Sequence, residues 1–248
     1  MCGRFAFFQE VEPLIADLGA VDLADPHLRA RWNIPPTAPI YVVTESVDKD
    51  SGEVLRALRI ARWGLLPPFA KDETFSSRTF NARRETLAEK PSFRGSLTRY
   101  RALVPMNGYY EWVRDSGGKR KQPYFISDAS GAPLLMAALV SWWKGPGEHD
   151  GPAASEDGRF LLSATIITRE ASGDLAELHN REPVMLRRDM IDGWLDTRMD
   201  DRGEAQAWIN RDDILLPQSA LEIREADPRL GRVGNEGPEL IESEPRLL

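Results

Sequence analysis

The sequence predicts a single strand-rich α+β domain, with a curled, mainly antiparallel sheet and short helices at its periphery. Three observations lead there. Short runs rich in Val, Ile, Leu and aromatic residues recur along the chain, bounded by Gly, Pro, Asp and Asn. Segments with helical spacing are few and brief. No repeat, low-complexity block or linker divides the 248 residues.

Val11, Leu14, Ile15 and Leu18 stand at helical spacing within residues 9–18, and Gly19 suits the stop. Residues 40–43 and Val54–Trp63 read as strands around the turn-forming Asp48-Lys49-Asp50-Ser51-Gly52. The run 82–90 reads as a short helix following Asn81. Residues 101–104 and 109–113 read as strands, and the second makes a hairpin with 123–127 through Asp115-Ser116-Gly117-Gly118. Strands at 134–140 and 160–168 follow. Between them lies a Gly, Pro and acidic stretch in which 145–158 reads as a flexible insertion and His149 as a solvated loop residue. Short helices are expected at 173–178, 188–195 and 203–210. The acidic tail from Pro217 carries scattered apolar residues able to lash onto the body. These elements set one domain at 1–242 and a C-terminal tail at 243–248.

At 42% hydrophobic the chain can build one substantial core, or two small ones. A single cysteine excludes an internal disulfide and points to a reducing, cytoplasmic setting. Arg4 and Glu10 interrupt the only early apolar stretch, so no secretory leader is expected, and no segment has the length of a membrane span. With one cysteine and three histidines (His27, His149 and His179), neither a metal site nor any other cofactor is expected. The net charge of −7 conceals a polarity: between Arg56 and Arg101 eleven Lys and Arg face four Asp and Glu. A basic segment in an acidic protein attracts phosphates in a salt-dependent way, or is simply a solvated face.

Four segments carry unusual chemistry. The first is Cys2-Gly3-Arg4. Loss of Met1 leaves one residue with both a free amine and a thiol, whose ordinary pKa values are ~8 and ~8.5. Such a 1,2-aminothiol condenses with an aldehyde to an imine, and its sulfur then closes a thiazolidine ring. Gly3 permits close approach of a ligand and Arg4 supplies a forked cation. The plain alternative is a small apolar residue opening a strand. The second segment is Phe80 to Glu85, where Asn81 either caps a helix or holds a substrate oxygen while Arg83 takes a phosphate at the helix N-terminus. In the third, Gly108 to Trp112, strand alternation puts Tyr110 and Trp112 on one face and Tyr109 and Glu111 on the other. A carboxyl among aromatics has its pKa raised, as suits a general acid; an edge strand would leave it solvated. In the fourth, His179 follows a short helix and is either a proton carrier or a hydrogen-bonded structural residue. Trp32, Trp63, Phe69 and Trp112 are candidates to stack on unpaired bases, whereas Trp142 and Trp143 read as core.

The order of these segments resembles the SOS-response-associated peptidase (SRAP) family, abasic-site-processing proteins that crosslink themselves to DNA. The matching runs are Met1-Cys2-Gly3-Arg4-Phe5, Arg31-Trp32-Asn33-Ile34-Pro35-Pro36-Thr37, Trp63-Gly64-Leu65-Leu66-Pro67, Asn81-Ala82-Arg83 and Leu103-Val104-Pro105. Gly108-Tyr109-Tyr110-Glu111-Trp112, Gln122-Pro123-Tyr124-Phe125, Thr165-Ile166-Ile167-Thr168 and His179-Asn180-Arg181 continue the series in family order.

The resemblance implies a barrel-like sheet and a positively charged groove for single-stranded DNA containing abasic sites. It implies that Cys2 forms the crosslink, that Asn81 and Glu111 bind or protonate the sugar, and that His179 assists proton transfer. Arg4, Arg83 and Arg181 match phosphate-contacting positions, Pro36, Phe69 and Trp112 the apolar DNA-facing surface, and Thr168 a polar position near the site. A monomer is expected, cytoplasmic and nucleoid-associated once crosslinked. Three positions depart from the pattern: Asn180 stands for Asp, Glu182 for Met or Arg, and Ala70 for a second aromatic after Phe69. The first bears on the tautomer and pKa of His179, and the second puts negative charge near the expected DNA path. Two rival functions stand beside this one. The first is an N-terminal-nucleophile cysteine peptidase or amidohydrolase with Cys2 as nucleophile, a role the family's name admits. The second is a noncovalent single-strand binding module.

Overall fold

The two strands with near-continuous apolar runs, Leu134–Trp143 and Leu161–Glu170, are buried on both faces, as such runs require. The computed structural model describes residues 2–48, 50–114 and 121–242. Its strands are β1 (Phe5–Phe7), β2 (Val21–Asp22), β3 (Arg31–Ile34), β4 (Pro39–Val47), β5 (Val54–Trp63), β6 (Asn81–Arg83) and β7 (Arg101–Met106). The series continues with β8 (Gly108–Arg114), β9 (Lys121–Asp128), β10 (Leu134–Trp143), β11 (Leu161–Glu170), β12 (Arg181–Pro183) and β13 (Leu221–Glu225). The helices are α1 (Glu12–Leu18), α2 (Arg94–Arg99), α3 (Gly173–Leu178), α4 (Ile191–Leu195) and α5 (Arg202–Ile209). No helix among the described residues is long and apolar enough to cross a membrane.

The architecture is mixed α+β, and its two sheets are mainly antiparallel. In the larger sheet β11, β10, β7, β4 and β5 pair in that order. It curls until β5 meets β11 again through a brief parallel contact, Ser163 opposite Arg62 and Ala164 opposite Trp63. The sheet is ring-like without being a closed barrel. Trp63, Leu103, Met136, Ile166 and Val184 belong to the main core. The smaller sheet runs β13-β9-β8-β1-β3. Its central strand β8 divides two cores by alternation: Tyr109 joins the main one, while Tyr110 and Trp112 join a second with Ala6, Phe125 and Leu230. Gly108 has no room for a side chain, because a Cβ there would lie 2.3 Å from Phe125 Cζ and 2.6 Å from the Ile126 carbonyl oxygen. That vacancy lets β9 close over β8.

Several expectations need correction. The run 82–90 is not a helix: it holds the end of β6 and a 3-10 turn, Arg84–Thr86, and the helical turn nearby is α2. β6 is instead recruited by β11, with Asn81 opposite Ile166 and Arg83 opposite Thr168. Asn81 therefore caps nothing, and what begins after Arg83 is a single 3-10 turn rather than the N-terminus of an α-helix. The tail does more than lash on. Leu221 to Glu225 adds β13 to the edge of β9 with five paired residues, and the following segment packs Leu230 and Leu240 into the second core. Trp63 is wholly buried and not available to a base, whereas Trp142, expected in the core, is 37% exposed. The hairpin turn 115–118 and the tail 243–248 lie outside the described residues.

Candidate active site

Antiparallel pairing of β1 with β8 brings the chain's start against Glu111. Phe5 lies opposite Tyr109, and the Tyr110 N–H donates to the Arg4 carbonyl at 2.9 Å. Cys2, just before β1, is completely buried. Asn81 reaches it from the other sheet, its Nδ2 donating to the Cys2 carbonyl oxygen at 2.7 Å. Pairing of β6 with β11 is what holds Asn81 there, in place of the helix expected from its neighbours. His179 ends α3, with its N–H on the Leu175 carbonyl at 3.1 Å. Its ring Nδ1 accepts the Arg181 N–H at 2.9 Å, so in the neutral ring the proton resides on Nε2.

The electrostatics of this group share one cause. Burial, seconded by the charge of Glu111, pushes the Cys2 thiol far above its usual value. Burial also raises the Glu111 carboxyl, against the positive charge at the amino terminus. Burial, then that same amino-terminal charge, lowers His179. A low-dielectric site disfavours the charged form of each group, so acids rise and the base falls. The positive charge at the amino terminus contributes at all three groups.

The remaining candidate residues fall into two groups. Arg83 is exposed on β6, opposite Thr168 in register. Thr168 is buried and accepts from Arg181, its carbonyl at 2.7 Å and its hydroxyl at 3.3 Å. Arg181 is further held by Glu85 through two bonds of 2.9 and 3.0 Å. On the far face of β8, the Arg4 guanidinium sits 5.7 Å from the centre of the Trp112 ring. It donates to Asn33 Oδ1 at 2.6 Å and to the Leu230 carbonyl at 3.0 Å. Phe69 is 55% exposed and meets only the edge of Phe75 among ring contacts of the described residues. Pro36 lies half-buried in the turn between β3 and β4. Trp32 stacks on Phe8 at 5.5 Å.

Much of the basic segment is spoken for internally. Arg56 pairs with Glu45 and Asp192, Arg62 with Glu73, and Arg84 with Asp212, while Arg101 is spent on main-chain carbonyls. Its excess of positive charge is thus smaller at the surface than in the sequence. The departures at 180 and 182 also look different in the fold. Asn180 is exposed, and a main-chain N–H rather than a side chain at 180 meets His179 Nδ1. Glu182 is 5% exposed and faces Arg169 at 3.5 Å, and burial outweighs that cation to raise its carboxyl.

Residues that sequence reading passed over are Glu85, Asn33 and Glu236. Asn33 binds the carbonyls of Leu230, Arg232 and Asn235 while receiving Arg4. Glu236 accepts the N–H groups of Trp32 and Asn33 and pairs with Arg31. No local pattern marks these contacts, which join residues about 100 to 200 positions apart. Among the described residues, no cluster of three or more His, Cys, Asp or Glu is arranged to hold a metal ion.

Comparison with known proteins gives a consistent picture. The family model described as SOS response associated peptidase (SRAP) matches residues 1–233. The abasic site processing protein YoqW of Bacillus subtilis is 32% identical over 246 residues, covering 98% of this chain and all of its own. YedK of Escherichia coli, also named an abasic site processing protein, is 29% identical over 98% of this chain and 99% of its own. HMCES of Gallus gallus, named likewise, is 30% identical over 88% of this chain and 68% of its own. A solved structure from Bacteroides thetaiotaomicron superposes with a TM-score of 0.76 at 20% identity, covering 98% of this chain and all of that one.

Proposed function

The chain belongs to the SOS response associated peptidase family, and on that footing we propose that it processes abasic sites in single-stranded DNA by joining itself to them through Cys2. One observation carries the reading. The only cysteine, second in the chain, is buried beside Glu111 with its carbonyl held by Asn81.

The chemistry follows from the state of each group. Removal of Met1 moves the α-amine onto Cys2. An abasic deoxyribose is mainly a closed hemiacetal, and Glu111, whose carboxyl burial makes more basic, would donate toward the ring oxygen to favour the open aldehyde. The amine attacks C1′ and water leaves, giving an imine. The thiol then adds across the C=N bond: sulfur bonds to C1′ and its proton goes to nitrogen. One water is lost overall and nothing is oxidised or reduced. The thiazolidine removes the iminium that would promote β-elimination, so the strand is shielded. A protonated thiol suits this order, because the amine acts first. His179, whose Nδ1 accepts the Arg181 N–H so that the neutral ring has its proton on Nε2, would carry protons as the sugar ring opens or the adduct reverses. Arg83, Arg181 and Arg4 would take phosphates, and Phe69, Pro36 and Trp112 would line the strand.

Intact mass spectrometry of the protein mixed with an abasic single strand tests this. The expected adduct has the summed mass less one water, on a chain lacking Met1. Cys2→Ser should lose the stable adduct and keep noncovalent binding. An unchanged yield in Cys2→Ser overturns the proposal, and turnover of a peptide library without any adduct would favour the hydrolase instead.

A further inference from the structure

We propose that Glu85 is a positioning residue of this site: it anchors Arg181 so that the Arg181 main-chain N–H holds His179 in a single neutral tautomer. Glu85 lies on the turn Arg84–Thr86, directly after the strand that carries Asn81 and Arg83. Arg181 opens β12, 96 positions further on. Their bond is a two-pronged fork, Nη1 to one carboxylate oxygen at 2.9 Å and Nη2 to the other at 3.0 Å. Such planar pairing fixes direction as well as distance. Nη2 also donates to the Thr168 carbonyl at 2.7 Å. The Arg181 side chain is 13% exposed and that of Glu85 45%, so the pair closes an enclosed cation with a half-open carboxylate. Burial raises the Glu85 carboxyl, but the Arg181 hydrogen bond and charge more than offset it and keep it ionised.

β12 has three residues and rests on β11 through the pairs Glu170 with Arg181, Arg169 with Glu182, and Thr168 with Pro183. Arg181 is the first of them, at the point where the chain leaves the loop carrying His179. The sheet fixes its main chain from one side only, and the guanidinium fork supplies the second anchor. The Arg181 N–H then meets His179 Nδ1 at 2.9 Å. A ring nitrogen that accepts a hydrogen bond cannot carry the proton, so this contact selects the Nε2–H form. The charges that reach the ring are those of the amino terminus and of Arg181 itself, with Glu111 on β8 in the same amino-terminal field. By pairing Arg181, Glu85 also quenches the cation nearest the imidazole in sequence.

The kinetic part of this inference rests on the proposed crosslinking chemistry, and the tautomer part does not. The experiment records the ring nitrogens of ¹⁵N-labelled protein, with His179 assigned through His179→Gln, for wild type, Glu85→Ala and Glu85→Gln. Wild type should show a neutral Nε2–H ring. Glu85→Ala should mix both tautomers and, at saturating abasic DNA, slow adduct formation by about tenfold or more, as small misplacements of catalytic groups do. Glu85→Gln still offers Arg181 one acceptor oxygen and should restore most of both signals. A wild-type tautomer pattern in Glu85→Ala overturns the proposal. If that variant instead binds intact single strands more tightly, with a steeper salt dependence, Glu85 is a competitor for phosphate at Arg181. Absence of any adduct in wild type would sink the crosslinking reading and leave the tautomer result to decide the role of Glu85.

Discussion

Replacing Glu111 with Gln separates two consequences of one buried carboxyl. The side chain is 5% exposed, and burial raises its pKa above the usual carboxylate range against the opposing amino-terminal charge. A group that is more basic folded than unfolded binds its proton more tightly in the native state. Its contribution to stability is therefore fully present below the unfolded value, ~4.3, and is lost as pH rises through the folded value. Each unit of elevation corresponds to about 1.4 kcal/mol. Gln keeps the volume and cannot ionise. At about pH 8 the variant should therefore exceed wild type in stability by that amount per unit, and at about pH 4 the gap should close. Glu182, raised in the same direction by its own burial, is present in both proteins and cancels in the difference. Urea denaturation across this pH range measures the gap. The same variant should form adduct more slowly by a factor on the order of 10² to 10⁴, the usual worth of a general acid. A stability difference that does not change with pH, or an adduct rate equal to wild type, refutes the assignment.

Arg83→Ala removes an exposed cation, so the slope of log affinity for single strands against log salt should fall by about 0.7 while stability stays within ~0.5 kcal/mol; anisotropy titrations at several salt concentrations decide it, and an unchanged slope removes Arg83 from the DNA path. Phe69→Ala should weaken noncovalent single-strand binding by about 1–3 kcal/mol, the worth of one stacked base, yet leave the adduct rate at saturating DNA unchanged; full affinity would mean that the ring faces no base. Glu236→Ala strips the acceptor from two main-chain N–H groups and a guanidinium, so unfolding in urea should show a loss of about 1–3 kcal/mol. An undiminished midpoint would mean that the C-terminal segment is not held through this residue.

Burial made the long strands legible. β10 and β11 carry dense apolar runs because both faces meet protein. The segment after Asn81 was misread for the opposite reason. Ala82-Arg83-Arg84-Glu85-Thr86-Leu87 has good helical propensity, but its first two residues complete, with Asn81, a parallel pairing with β11, and tertiary pairing outweighs a local preference of tenths of a kcal/mol per residue. β13 did leave a signal: Leu221 and Ile223 alternate with Glu222 and Arg224, a strand pattern overlooked in an acidic tail. At the site, the alternation that sorts Tyr109 and Glu111 from Tyr110 and Trp112 was readable from β8 alone. The meeting of Asn81 with Cys2, 79 positions away, was not. Nor was the capture of Arg181 by Glu85, since ionic partners remote in sequence leave no periodic trace.

The direction of the shifts at the site bears on one of the routes open to an N-terminal cysteine. A cysteine hydrolase that used His179 as its base, rather than its own α-amine, would work through a thiolate and an imidazolium, two opposite charges held side by side. Here burial acts on both partners in the wrong sense: it raises the Cys2 thiol and lowers His179. Forming the ion pair would require the site to solvate two charges it is built to exclude. Condensation of an amine with an aldehyde has no such need. In the proposed route the amine would add while neutral, the departing oxygen would take its proton from a carboxyl that burial makes more basic, and the thiol would enter with its proton still attached. Glu111 raised, Cys2 raised and His179 lowered are thus one electrostatic condition seen at three groups, and it favours bond formation between uncharged partners.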